Sequence, residues 1–148
     1  MNKYHPVLAH LYRVIFLIKV KKILTVFTIG ATLYAVIEIL WRGFTHWTMM
    51  IAGGISLCGI YGINGALCKK RIISKCALCS LLITLIEFIC GVVINIFFKL
   101  DVWDYSSKRF NILGQICPLY TFFWFLLSMP AVMVCNFIKG NLFENMEK

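Results

Sequence analysis

Charge is scarce in this chain, and negative charge scarcest. Only 14% of the 148 residues are charged, with six Asp and Glu against fifteen Lys and Arg. A soluble domain has about a quarter of its residues charged and is nearer half apolar. Here 61% are hydrophobic and mean hydropathy is +0.85, more than a soluble core of this length can bury. Enzyme signatures are missing too. There is no GxxxxGK[ST] phosphate loop, no GxSxG elbow and no HExxH helix, and no nucleophile–base pair stands out. These absences point to a non-enzymatic protein with no cofactor, and any ATP hydrolysis it uses must come from another chain.

Metal chemistry lacks its pattern as well. Seven cysteines are present, and Cys76 and Cys79 have CxxC spacing, but no second pair or nearby histidine completes a site. His5, His10 and His46 are scattered. No metal is expected.

What is abundant is long apolar sequence. A helix of ~20 apolar residues crosses the hydrocarbon layer while satisfying its own backbone hydrogen bonds. Four stretches qualify: 23–41, 48–68, 76–98 and 116–138. The expected fold is all-α, a polytopic four-helix membrane domain over 23–138. A basic segment, 1–22, precedes it and a tail, 139–148, follows. In that first segment Leu8, Leu11, Tyr12, Ile15 and Ile18 follow helical spacing. This fits an amphipathic helix in the membrane interface, or else an extension of the first span. His10, Arg13 and Lys19 interrupt the apolar core that a cleavable signal needs.

A net charge of +9 is compatible with nucleic-acid binding, but its distribution points to topology. With the N-terminus inside, Lys3, Arg13, Lys19, Lys21, Lys22, Lys69, Lys70, Arg71, Lys75, Lys139 and Lys148 are cytoplasmic. Arg42, Lys99, Lys108 and Arg109 are then outside. That eleven-to-four split follows the positive-inside rule. It predicts a cell-membrane protein with both termini cytoplasmic, whose partner is the bilayer and its anionic lipids, not nucleic acid.

Polar residues within the spans are the candidates for function. A charge at the bilayer centre costs ~2.5–3.5 kcal/mol on insertion scales. Glu38 has Arg42 four residues on, in the favourable order for an ion pair. Glu87 is deeper and has no basic partner on its own helix. If spans one and three adjoin, Glu38, Arg42 and Glu87 form one buried cluster. Its two readings are a site for a proton, cation or substrate, or a hydrogen-bonded helix clamp. Asn95 is a further polar candidate, expected to bond across helices. Gly54, Cys58, Gly62 and Ala66 recur every fourth residue in span two, a small-residue stripe suited to close helix packing. On that reading span two is a packed interior helix or the oligomer seam, and a leucine is expected to disrupt assembly at 62 and to matter little at Ile60. Trp124 is expected to pack inside span four, and Pro118 and Pro130 to start and kink it. Glu38 and Glu87 sit in similar local contexts, "VIEILWRG" and "LIEFICG", a weak sign of an internal repeat.

Two patches carry a family likeness. "EILWRGF" follows from Glu38, and "WDYSSKRFNILGQIC" runs from Trp103 to Cys117 after a span containing "IEFICG". Together they resemble the family of small bacterial membrane proteins named Putative ABC-transporter type IV, over about 34–128. One segment departs: "THWTMMIAGGISLCGIYG" stands where many members have Gly-Pro-x-Cys-Pro-x-Tyr-Gly. The likeness implies a transport-related membrane subunit, permease-like or substrate-binding. It would work as a homo-oligomer or with partner membrane or ATPase subunits. It also implies that Glu38, Arg42 and Glu87 belong with an outer loop containing Trp103, Asp104, Tyr105, Ser106, Asn111, Gly114 and Gln115. In that loop Asp104 and Asn111 are expected to fold back on the backbone, Gly114 to allow a tight turn, and Trp103 and Tyr105 to anchor at the headgroups. The competing reading is a non-transport membrane protein, holin-like or a structural interaction module.

Overall fold

The computed structural model describes residues 5–143, with side chains described for 8–142. Four helices alternate in direction: α1 (His5–Arg42), α2 (Trp47–Ala66), α3 (Ile72–Gly91) and α4 (Pro118–Phe137). Two of them continue into a wider π-helical turn, α3 over Val92–Phe97 and α4 over Ile138–Phe143. All four are long and apolar enough to cross a membrane.

α1 has 38 residues, a length of about 57 Å at 1.5 Å per residue. That is nearly twice a hydrocarbon layer. From His5 onward the basic segment and the first span are one unbroken helix. Among the described residues nothing covers Leu8, Leu11, Tyr12 and Phe16 on its early turns, which are exposed. Lys3 and Lys148 of the charge argument lie outside the described residues.

Local chemistry explains the helix ends. After Arg42, Gly43 adopts φ +82° and its N–H donates to the Ile39 carbonyl at 2.8 Å, a left-handed helix cap. His46 caps the start of α2, accepting from the Thr48 N–H. Pro118 opens α4, where its missing N–H is harmless. Pro130 lies inside α4 without ending it.

α2 is the hub, packing on α1, α3 and α4, while α3 also packs on α4. α1 packs chiefly on α2. Toward the 67–71 end, Val26, Leu57, Ile60, Cys79, Ile83, Val132, Cys135 and Ile138 form the buried core. At the other end Met49 and Ile94 meet Val102 and Trp103 of the long connection.

The small-residue stripe is used unevenly. A Cβ on Gly54 would meet the Phe27 ring at 2.6 Å, so α1 and α2 approach because that residue is small. Cys58 is half-buried and donates to the Ile23 carbonyl. Gly62 has open space around it and Ala66 is exposed. Ile60, by contrast, is 3% exposed in the core. Within one chain position 60 is thus buried and position 62 open: residues four apart advance by about 400°, so an every-fourth stripe drifts about 40° per step and leaves its neighbour after two or three steps.

Candidate functional site

The long connection between α3 and α4 is a folded lid, and Asn95 holds it. Asn95 sits in the π-helical turn, 7% exposed. Its Nδ2 donates to the Trp103 carbonyl at 2.9 Å and to Gln115 Oε1 at 2.8 Å, and its Oδ1 accepts from the Val102 N–H at 2.8 Å. The side chain is thus fully engaged with the loop; it does not bridge helices as expected. Trp103 is buried, with its indole N–H donating to the Gln115 carbonyl at 3.1 Å. Gln115 in turn donates from Nε2 to the Leu113 carbonyl. A Cβ on Gly91 would meet Gln115 Oε1 at 2.5 Å, so only glycine lets the loop seat on α3 here.

The loop also folds on itself. Asp104 Oδ1 accepts from the Ser106 N–H at 2.8 Å and from its hydroxyl at 2.6 Å. These bonds favour the ionised carboxyl and lower its pKa below the usual value. Asn111 donates to the Ser106 and Lys108 carbonyls and accepts from the Gly114 N–H at 3.0 Å. Gly114 adopts φ +68° with Asp104 Oδ1 where a Cβ would stand. Both requirements, left-handed backbone and no side chain, select glycine.

The lid reaches both membrane carboxylates, by different means. Glu38, 8% exposed, accepts from Arg42 Nη2 and from the Thr45 hydroxyl. Arg42 Nη1 donates to the Val102 carbonyl at 3.0 Å, and its guanidinium lies 4.6 Å from the Phe44 ring centre. Glu87, 5% exposed, accepts from the Tyr105 hydroxyl at 2.9 Å on Oε1 and from the Trp124 indole N–H at 2.7 Å on Oε2. Tyr105 also stacks on Tyr120 with ring centres 4.2 Å apart. Burial first, and the nearby Glu87 next, raise its phenol pKa far above the usual value. It therefore stays protonated as a donor across the physiological range.

The expected single cluster of Glu38, Arg42 and Glu87 between spans one and three is thus two networks. α1 packs chiefly on α2, and the lid joins the two networks through Val102, which accepts from Arg42, and Tyr105, which donates to Glu87. Trp103 and Tyr105 are not headgroup anchors: both turn inward, because each polar atom finds a buried partner there. Trp124 does more than pack. Tyr34, stacked on Trp124 at 6.0 Å and within electrostatic reach of both carboxylates, and Thr45 were not singled out in the sequence. An aromatic or hydroxyl within a turn of an intramembrane acid was the available signal.

Four helices long and apolar enough to cross a membrane make this a polytopic all-α membrane protein. The chain belongs to the Putative ABC-transporter type IV family, whose sequence profile matches residues 24–148. The match extends the likeness carried by the two patches to the whole four-helix region. No curated protein and no solved structure matches the chain.

Proposed function

We propose that this chain is a permease-like membrane subunit in which Glu87 receives a proton or small cation beneath the loop 98–117. The observation that carries the reading is a difference in charge balance. Glu38 is neutralised by Arg42. Glu87 has only neutral donors, a phenol and an indole, and among the described residues it forms no ion pair. A buried anion without a cation is costly, and proteins resolve it by taking up positive charge. The neutral donors hold the carboxylate in place without competing for that role. Arg42, held by Glu38, fixes the lid from α1 through the Val102 carbonyl, and Thr45 of the following loop holds Glu38 in turn.

Four helices are few to enclose a path, which favours assembly with further copies or partner subunits. Without a phosphate loop, an ATPase would be one of those partners. The Lys/Arg bias supports both termini in the cytoplasm of a bacterial cell, with the lid outside. The experiment is cation-coupled flux in membrane vesicles from expressing cells, read by a pH-sensitive dye and by tracer cations. Glu87→Gln is expected to abolish the flux that wild type adds to control vesicles. Undiminished flux in Glu87→Gln overturns the proposal. The holin-like alternative predicts ungated leak of small solutes that neither Gln variant changes.

A further inference from the structure

A groove of about 410 Å³ runs down the outer side of the α3–α4 seam, from the lid toward mid-span. Phe110 and Ile112 of the lid form its upper rim, Phe122 and Phe125 of α4 one wall, and Ser80 and Thr121 its polar atoms. Those hydroxyls are already committed. Ser80 donates to the Ala77 carbonyl at 2.9 Å, and Thr121 accepts from Thr84 at 3.0 Å and donates to the Cys117 carbonyl at 3.3 Å. The groove therefore presents hydrocarbon to an occupant and no free donor. A polar solute gains nothing there, whereas an acyl chain does.

The rim adds a second, independent feature. Phe110 is 84% exposed with φ +57°, a backbone region costly for a bulky residue, and Leu113, also exposed, has φ +53°. The Asn111 side chain holds this turn by its bonds to the Ser106 and Lys108 carbonyls. The loop thus stores strain to hold large apolar side chains outward, uncovered by any of the described residues. Immediately before Phe110 come Lys108 and Arg109, both exposed and without an ion pair among the described residues. An apolar rim, an apolar groove below it and a pair of exposed cations next in the chain to the rim residue Phe110 match the parts of one molecule.

The geometry points to a binding site for an anionic phospholipid of the leaflet on the lid side. One acyl chain lies in the α3–α4 groove and the headgroup phosphate sits against Lys108 and Arg109. The charge pair distinguishes this occupant from a transmembrane helix of a second copy, which would bring apolar surface alone to the rim. The site does not depend on Glu87, so it stands or falls separately from the proposed function.

The test is lipid retention. The protein is reconstituted in vesicles of equal phosphatidylglycerol and phosphatidylcholine, extracted in mild detergent, and its retained lipid identified by native mass spectrometry. Wild type is expected to retain phosphatidylglycerol over phosphatidylcholine by roughly thirtyfold, the scale set by two cations at a lipid surface. Lys108→Gln with Arg109→Gln, both at exposed positions, is expected to bring the ratio close to that of the vesicles. Ile112→Trp, which fills the groove, is expected to remove both lipids. Retention at the bulk ratio in wild type, or retention unchanged in either variant, overturns the site. So does loss of the enrichment in Lys69→Gln/Lys70→Gln instead, at the opposite end. Photo-cross-linking from position 122 into a second copy, in place of lipid, overturns it as well.

Discussion

Tyr105 donates its hydroxyl to Glu87 Oε1 at 2.9 Å, binding a loop residue to a carboxylate in the third span. Three residues earlier, the Val102 carbonyl accepts from Arg42, the partner of Glu38. One short piece of loop therefore contacts the compensated acid and the uncompensated one. Any movement that frees Glu87 from above must break the Tyr105 bond, and lifting that strand also strains the Arg42 bond.

Asn95 is the hinge pin of this arrangement. Replacing it by Leu leaves the Val102 N–H and the Trp103 carbonyl without their buried partner. An unsatisfied buried group costs about 1–3 kcal/mol, so Asn95→Leu is expected to destabilise by at least that much. Limited trypsin digestion after Lys108 and Arg109 should accelerate, while a surface change such as Ser107→Ala leaves it unaltered. Equal protection in Asn95→Leu and wild type would show that the lid is held by something else.

Packing gives a second contrast. Ile60→Ala removes a core side chain and is expected to cost about 2–5 kcal/mol, and Gly54→Leu should separate α1 from α2 by driving into the Phe27 ring. Gly62→Leu meets open space within the chain and should leave the folded monomer intact. Thermal unfolding in detergent measures all three; a larger loss at 62 than at 60 contradicts the packing described.

The sequence made the fold legible because apolar run length and charge spacing report directly on span number, and α2, α3 and α4 fall where those runs lie. It did not separate the N-terminal segment from span one, since helical periodicity continues through Lys19, Lys21 and Lys22 without a breaker. Among the site residues, the acids were legible because charge in a span is rare. Asp104, Asn111 and Gly114 were legible from turn chemistry, and they make the turn bonds expected of them. Partner choice was not legible. Whether Trp103 and Tyr105 face headgroups or the interior depends on Asn95, Gln115 and Glu87 being nearby in space. The neighbours of α1 are fixed by helix arrangement, which leaves no mark on the local pattern.

Asp104 supplies a pH prediction. Its pKa is lowered in the folded loop by the Ser106 hydroxyl and N–H, so its contribution is present above the unfolded value of ~3.9. It is lost as pH falls through the lower folded value. Acid-stable protease digestion should therefore find the loop tightly folded down to about that value, then progressively opened. Asp104→Ala should lose this pH dependence and be cut somewhat faster than wild type at neutral pH. A loop in wild type that opens well above the carboxylate range contradicts this assignment.

Orientation rests on the Lys/Arg bias alone. A single cysteine at position 107, in a chain cleared of its own seven cysteines, should react with an impermeant maleimide added outside intact cells. A cysteine at position 70 should react only after the membrane is opened. The reverse pattern inverts the topology and places the lid in the cytoplasm.

The central claim is that Glu87 accepts positive charge and Glu38 does not. Apolar carbodiimides add to protonated carboxyls within membranes, forming a stable N-acylurea that peptide mass spectrometry locates. The measurement is the rate of that labelling at both acids, with and without added cations. Glu87 should be labelled, more slowly as pH rises or as a bound cation competes, and faster in Tyr105→Phe, where the lid has lost its bond. Glu38, held by Arg42, should stay unlabelled throughout. Labelling confined to Glu38, or labelling of Glu87 indifferent to pH, to cations and to Tyr105, would contradict the account.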